Sequence, residues 1–128
     1  MELKCLLDSN TVIDFLGKKY PGTAAKFISD IIDEIPNLSI ISKIEILSYK
    51  TSTEEYSILS NFCNDAIIIN LNDEIVNKTI ALRINHKIKT PDAIIAATAL
   101  TNDLILITAN TDDFNKIPDL TIINPWHL

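Results

Sequence analysis

Short apolar runs alternate with longer segments of helical periodicity along the whole chain, and this alternation restricts the fold more than any other feature of the sequence. Residues 3–7, 38–41, 66–69, 104–108 and 120–123 each read as a short strand, too brief for a helix and rich in leucine and isoleucine. Between them, residues 23–35 place Ala24, Phe27, Ile28, Ile31, Ile32 and Ile35 at three-to-four spacing, an amphipathic helix stopped by Pro36. A helix opens at residues 11–16 after the turn Asp8-Ser9-Asn10 and breaks at Tyr20-Pro21-Gly22. Ser42, with Glu45 three residues on, has the form of a capping box and predicts a helix through Tyr49 that loosens at residues 51–53 and resumes to Phe62. Asn72 and Asp73 cap a helix reaching Ile84. Thr90 as N-cap and Pro91 as first helical residue start an alanine- and isoleucine-rich helix over 92–100, and residues 111–116 form a short one. Strands that alternate with helices in this way build a three-layer α/β/α fold around a mostly parallel central sheet of about five strands.

A chain of 128 residues is long enough for one domain with its own core, so residues 1–128 are expected to form a single unit. No apolar run approaches the roughly 20 residues of a membrane span, and the opening Met1-Glu2-Leu3-Lys4-Cys5 lacks the apolar core of a signal peptide. With only Cys5 and Cys63, both in or beside apolar segments, a reducing cytoplasm is the expected compartment. The net charge of −6 excludes a protein that grips nucleic acid simply by being basic. It leaves room for a nuclease, because a bound cation together with Lys18, Lys19, Lys43, Lys87 and Lys89 can reverse the field locally; the plainer reading of those lysines is solvated surface.

Four acids, Asp8, Glu45, Asp92 and Asp113, stand where strand-like pattern gives way to helix or just inside a helix start. In an open α/β sheet the strand C-termini share one edge, so acids at such junctions converge there from distant parts of the chain. Asp8, Glu45 and Asp113 follow expected strands; Asp92 follows a helix, and periodicity alone does not bring it to that edge. Packed carboxylates repel one another by roughly 3 kcal/mol per pair at ~5 Å and an effective dielectric of ~20. A divalent cation neutralises them. Each acid also has a purely structural reading: Asp8 as a turn cap, Glu45 as half of a capping box, Asp92 and Asp113 as helix-dipole partners.

Leu7-Asp8-Ser9-Asn10, Ser42-Lys43-Ile44-Glu45, the run from Thr90-Pro91-Asp92 to Ala99, and Thr108-Ala109-Asn110-Thr111-Asp112-Asp113-Phe114 resemble, in order, the four acidic motifs of PIN-domain ribonucleases, most nearly the VapC-type toxins of toxin–antitoxin pairs. Ser9 stands where threonine is more usual, keeping the hydroxyl, and Ile123-Asn124-Pro125-Trp126 looks like the family's C-terminal strand. The resemblance implies a site in which Asp8, Glu45, Asp92 and Asp113 hold Mg²⁺ or Mn²⁺, supported by Ser9, Asn110 and Asp112, with the spacing before Phe114 favouring Asp113 over Asp112 as ligand. It further implies RNA as substrate, a cognate antitoxin as partner, and a homodimer whose paired sites line a groove.

Other chemistries are poorly supplied. His86, read as an exposed helix-end residue, and His127 are the only histidines and Arg83 the only arginine, too few for a metal-free histidine-pair ribonuclease. No zinc spacing and no glycine-rich phosphate loop occurs. The alternatives are a PIN nuclease of RNA processing outside toxin–antitoxin systems and a non-catalytic α/β binding module. A receiver-like module would need a phosphoacceptor aspartate ending its third strand, where this chain has Ile69-Asn70.

Overall fold

The computed structural model describes residues 4–128, so the expected start of the first strand at Leu3 lies outside the described residues. In chain order the elements are β1 (Cys5–Leu7), α1 (Ser9–Leu16), α2 (Gly22–Asp33), β2 (Asn37–Ser39), α3 (Ile40–Leu47), α4 (Thr53–Asp65), β3 (Ile67–Ile69), α5 (Asp73–Asn85), α6 (Thr90–Thr101), β4 (Ile105–Ile107), α7 (Thr111–Phe114), β5 (Ile122–Ile123) and a terminal 3₁₀ turn (Pro125–His127). All strand pairings are parallel, in the order β3-β2-β1-β4-β5. The chain leaves β1 toward β2 and β3, then crosses back to place β4 and β5 on the other side, which makes the gap beside β1 a topological switch point. A receiver-like domain has the order 2-1-3-4-5; this sheet does not.

The strands explain the layers. Within β1, Leu6 belongs to one core, with Ile75, Leu82, Ile95, Leu106 and Phe114. Cys5 and Leu7 belong to the other, with Val12, Ile31, Leu38, Ile46, Leu59 and Ile107. Alternate side chains therefore meet α5, α6 and α7 on one face and α1 to α4 on the other, the period-two consequence of pleating. Each fully buried leucine or isoleucine contributes roughly 1.5–3 kcal/mol to that sandwich. Alanines at 93, 96, 97 and 99 are buried, allowing α6 to lie close against the sheet.

Several boundaries differ from expectation. The second strand ends at Ser39, and Ser39, not Ser42, is the N-cap of α3: its Oγ accepts the Ser42 amide at 3.0 Å. The Ser42–Glu45 capping box does not form, because both residues already lie inside the helix. Helix α6 begins one residue early, with Lys89 as N-cap and Thr90 helical. Helix α2 stops at Asp33, and Ile35 takes φ 60°. A following proline disfavours right-handed helix at Ile35, which ends the helix before it; the left-handed φ there is an uncommon conformation for a β-branched residue. The expected strand at Ile123-Asn124-Pro125-Trp126 ends at Ile123; Asn124 then caps the 3₁₀ turn by accepting the Trp126 amide at 3.0 Å. His86 is half-buried as the C-cap of α5 rather than exposed.

Candidate active site

At the C-terminal end of β1 the chain must turn into α1, and Asp8 makes that turn. Its amide donates to the Ile107 carbonyl at 3.0 Å, continuing the β1–β4 pairing, and its Oδ1 accepts the Ser9 amide at 2.8 Å as the helix N-cap. Its other oxygen, Oδ2, accepts Thr108 Oγ1 at 2.7 Å. Thr108, fully buried just beyond β4, also accepts the Asn110 amide at 3.0 Å, so one hydroxyl joins the end of β1 to the start of the β4–α7 loop. The structural reading of Asp8 as a cap is correct, and it leaves each carboxylate oxygen with capacity for a further partner.

Around this buried centre stand the other acids. Ser9 Oγ donates to Glu45 Oε1 at 3.2 Å, linking α1 to α3. With the capping box absent, this bond is the one that orients Glu45, and the local structural reading of Glu45 falls away. Asn110 Nδ2 donates to Asp113 Oδ2 at 2.8 Å. Asp112 is exposed and has no hydrogen bond to the group among the described residues. Asp92 reaches the same edge for a topological reason. Helix α6 hands its C-terminus directly to the start of β4, with the Leu104 amide bonded to the Ala99 carbonyl, so it runs against the strands and its N-terminal turn lies at their C-terminal edge.

The electrostatics tie the four together. Burial holds the Asp8 carboxyl above the usual carboxylate range, and the Thr108 and Ser9 hydrogen bonds only partly oppose it. Glu45 is raised by desolvation, eased by Ser9, and raised further by Asp8 and Asp92; its exposed position keeps that effect screened. Asp92 is raised by desolvation first, then by Asp113 and Asp8, while Lys89 and Lys116 pull the other way. The ion pairs among the described residues, Lys19–Asp14 and Lys26–Asp30, involve none of the four.

The donor set suits a hard divalent cation: four oxygen-bearing anions, one of them buried, with no cationic side chain paired to any of them among the described residues. The fit is in chemistry and charge, since no three acidic, histidine or cysteine side chains among the described residues form a ready-made ligand set as placed. Side chains that turned to close on an ion would each lose about 1 kcal/mol of side-chain entropy. Thr108 and Lys116 were not singled out by the sequence reading. A hydroxyl at the last position of an apolar run, two residues before Asn110, was the available signal for Thr108.

The family model of the PIN domain matches residues 5–120. Among solved structures, a toxin–antitoxin complex from Klebsiella pneumoniae contains a chain 31% identical to this one, with a TM-score of 0.73 over 94% of this chain and 97% of that one. VapBC2 from Rickettsia felis, bound to a DNA fragment from their promoter, is similar at 21% identity and TM-score 0.76, covering 93% of this chain and 96% of that one. DNA-bound VapBC from Salmonella typhimurium gives 19% and 0.79, covering 97% and 99%. At their identities, the latter two establish a shared fold alone. No curated protein matches the chain.

Proposed function

This chain belongs to the PIN-domain family, and from that premise we propose that it is a metal-dependent endoribonuclease, the toxin of a toxin–antitoxin pair, acting as one domain over residues 1–128. The observation that carries this reading is the hydrogen-bond chain at one sheet edge that runs from Glu45 through Ser9 to Asp8 and on through Thr108 and Asn110 to Asp113, with Asp92 within electrostatic reach of Asp8 and Asp113 and no ion pair closed on any of the four among the described residues. Asp8, Glu45, Asp92 and Asp113 would hold Mg²⁺ or Mn²⁺. When bound, such an ion lowers the pKa of a water and stabilises the charge that builds on phosphate during in-line displacement. The chain's own contribution is positional. Thr108 and the Ser9 amide fix both oxygens of Asp8, Ser9 Oγ aims Glu45, and Asn110 aims Asp113. Asp112 supports from outside the group.

Two surfaces support the partners. A groove lined by Ile13, Leu16, Ile58 and Leu59 together with Lys19 and Glu55, where Tyr49 and Ile58 are exposed, fits an amphipathic segment of an antitoxin. Along α5, Val76, Ile80 and Ile84 are exposed at four-residue intervals, the stripe a second copy would cover in a homodimer. No helix among the described residues is long and apolar enough to cross a membrane.

Incubation of the purified chain with RNA in Mn²⁺ and in EDTA tests the activity. Water as nucleophile predicts products with 5′-phosphates, and cleavage that survives a single deoxyribose at the scissile position. Products ending in 2′,3′-cyclic phosphate would overturn the mechanism. Inducing the chain alone in cells should arrest growth, and co-expression of the neighbouring small gene should relieve the arrest; a purified chain that cuts RNA without harming cells is a processing nuclease instead.

A further inference from the structure

The acid-dense edge carries two lysines in corresponding places. Lys89 stands three residues before Asp92, as the N-cap of α6, and Lys116 stands three residues after Asp113, just past α7. Both are exposed. Lys116 Nζ donates to the Lys87 carbonyl, so the segment after α7 is fastened to the loop that leads into α6. One of its three ammonium N–H groups is used in this way, and the others remain available.

Elsewhere among the described residues, Lys19 pairs with Asp14 and Lys26 with Asp30. Lys89 and Lys116 lie within electrostatic reach of Asp92, yet neither closes an ion pair with any acid among the described residues. On a chain of net charge −6, lysines within electrostatic reach of Asp92 that close no ion pair are placed for an anion that comes from outside.

We infer that Lys89 and Lys116 form a two-point grip on the phosphate backbone of single-stranded RNA, both on the Asp92 side of the carboxylate site. The inference rests on RNA being the substrate, as proposed above. A bare carboxylate cluster repels a polyanion, so the strand needs cations beside the acids to approach them. Lys116 supplies a charge held by the Lys87 carbonyl; Lys89 supplies one at the N-cap of the helix that carries Asp92. Neither reads a base, so the grip positions the strand without selecting its sequence.

The test is binding of a fluorescent single-stranded RNA to the full chain in EDTA across a salt series, with KM and kcat measured in Mn²⁺. Each phosphate contact contributes about 0.7 to the slope of log affinity against log salt. Lys89→Gln and Lys116→Gln should each weaken binding several-fold and lower that slope by about 0.7, and the double variant by about 1.4. KM should rise while kcat changes little. Lys116→Arg should retain affinity, and Lys26→Gln, on the remote α2 pair, should bind as the wild type does. If the wild type binds and cuts RNA while the glutamine variants keep its affinity, salt slope and KM, the inference fails and the nuclease reading survives. A fall in melting temperature for Lys116→Gln with unchanged affinity makes that residue a structural staple and also overturns the inference. Equal weakening by Lys26→Gln reduces the grip to diffuse charge and overturns it too. A wild type that neither binds nor cuts RNA defeats both readings.

Discussion

The candidate site has two halves that differ in kind. Its inner half, Asp8, Ser9 and Thr108, is buried, with exposures of 8%, 6% and 0%, and is closed by hydrogen bonds between β1, α1 and the end of β4. Its outer half, Glu45, Asp92, Asn110, Asp112 and Asp113, is half-buried or exposed, with single side-chain bonds such as Ser9–Glu45 and Asn110–Asp113. The inner half is part of the fold's framework and cannot rearrange without breaking the strand–helix junction. Residues of the outer half, less buried and more singly bonded, would turn toward an ion or substrate under the proposed function. A site that needs both a fixed reference point and exchange with solvent divides the two tasks in this way.

The largest expected effect removes the fixed point. Asp8→Ala should reduce RNA cleavage by about 1,000-fold or more, the several kcal/mol that a positioned cation supplies. Asp113→Ala should be comparable, and expression of either should no longer arrest growth. Cleavage retained by Asp8→Ala would mean that the inner half is structural only, and the comparison would collapse.

Metal binding should join the halves. Saturating Mg²⁺ or Mn²⁺, at ~100 times its dissociation constant, adds about 2.7 kcal/mol and should raise the melting temperature by roughly 10 °C over EDTA. Asp92→Asn should lose most of that rise. Identical melts in EDTA and Mn²⁺ would show that the acids do not share an ion.

Thr108→Val keeps the shape of the inner half and removes its hydroxyl. With Asp8 Oδ2 and the Asn110 amide both left without their partner, stability in EDTA should fall by about 1–3 kcal/mol. Glu45→Gln, in the exposed outer half, should change stability by less than about 0.5 kcal/mol. Equal losses from the two, measured by denaturant melts, would erase the distinction.

The pH dependence follows from the raised carboxyls. Asp8, Glu45 and Asp92 all ionise later in the folded chain than in the unfolded one, chiefly through desolvation, so the folded form holds protons that the unfolded form has lost. These groups therefore make the metal-free protein less stable as pH climbs from the ordinary carboxylate value of about 4, until the folded carboxyls have themselves ionised. With Mn²⁺ the trend should reverse, because the ion binds ionised carboxylates. Asp8→Asn should flatten the metal-free slope more than Glu45→Gln does. The smallest effect belongs to Asp112→Ala, which should slow cleavage only a few-fold, since Asp113 holds the bond to Asn110 and couples to Asp92. A larger loss from Asp112→Ala than from Asp113→Ala would move the assignment by one residue.

Much of this was legible in advance because it depends on local pattern. Five short apolar runs separated by helical segments announced the parallel α/β layering, and the positions of Asp8 and Asp113 after strands announced the edge at which they stand. Capping was less legible. Ser39 and Ser42 are both serines followed by helix-forming residues, and only the end of pairing between β2 and β3 at Ser39 decides which one starts α3. The capping box that would have explained Glu45 locally was therefore a false signal, and its absence leaves the bond to Ser9, 36 residues away, as the determinant of its position.

The sequence by itself determined the periodicities, and with them which side chains face a core and which acids begin or precede helices, because those follow from the backbone geometry of a few neighbouring residues. The meeting of Asp92 with Asp8 and Asp113 had to wait for the tertiary structure. It depends on α6 running back against β4, on β4 pairing with β1 across 100 residues of chain at Cys5–Ile105, and on the buried Thr108 hydroxyl that this pairing carries to Asp8. Contacts of that separation form only when the whole sheet assembles, since no local interaction repays the entropy of closing so long a loop.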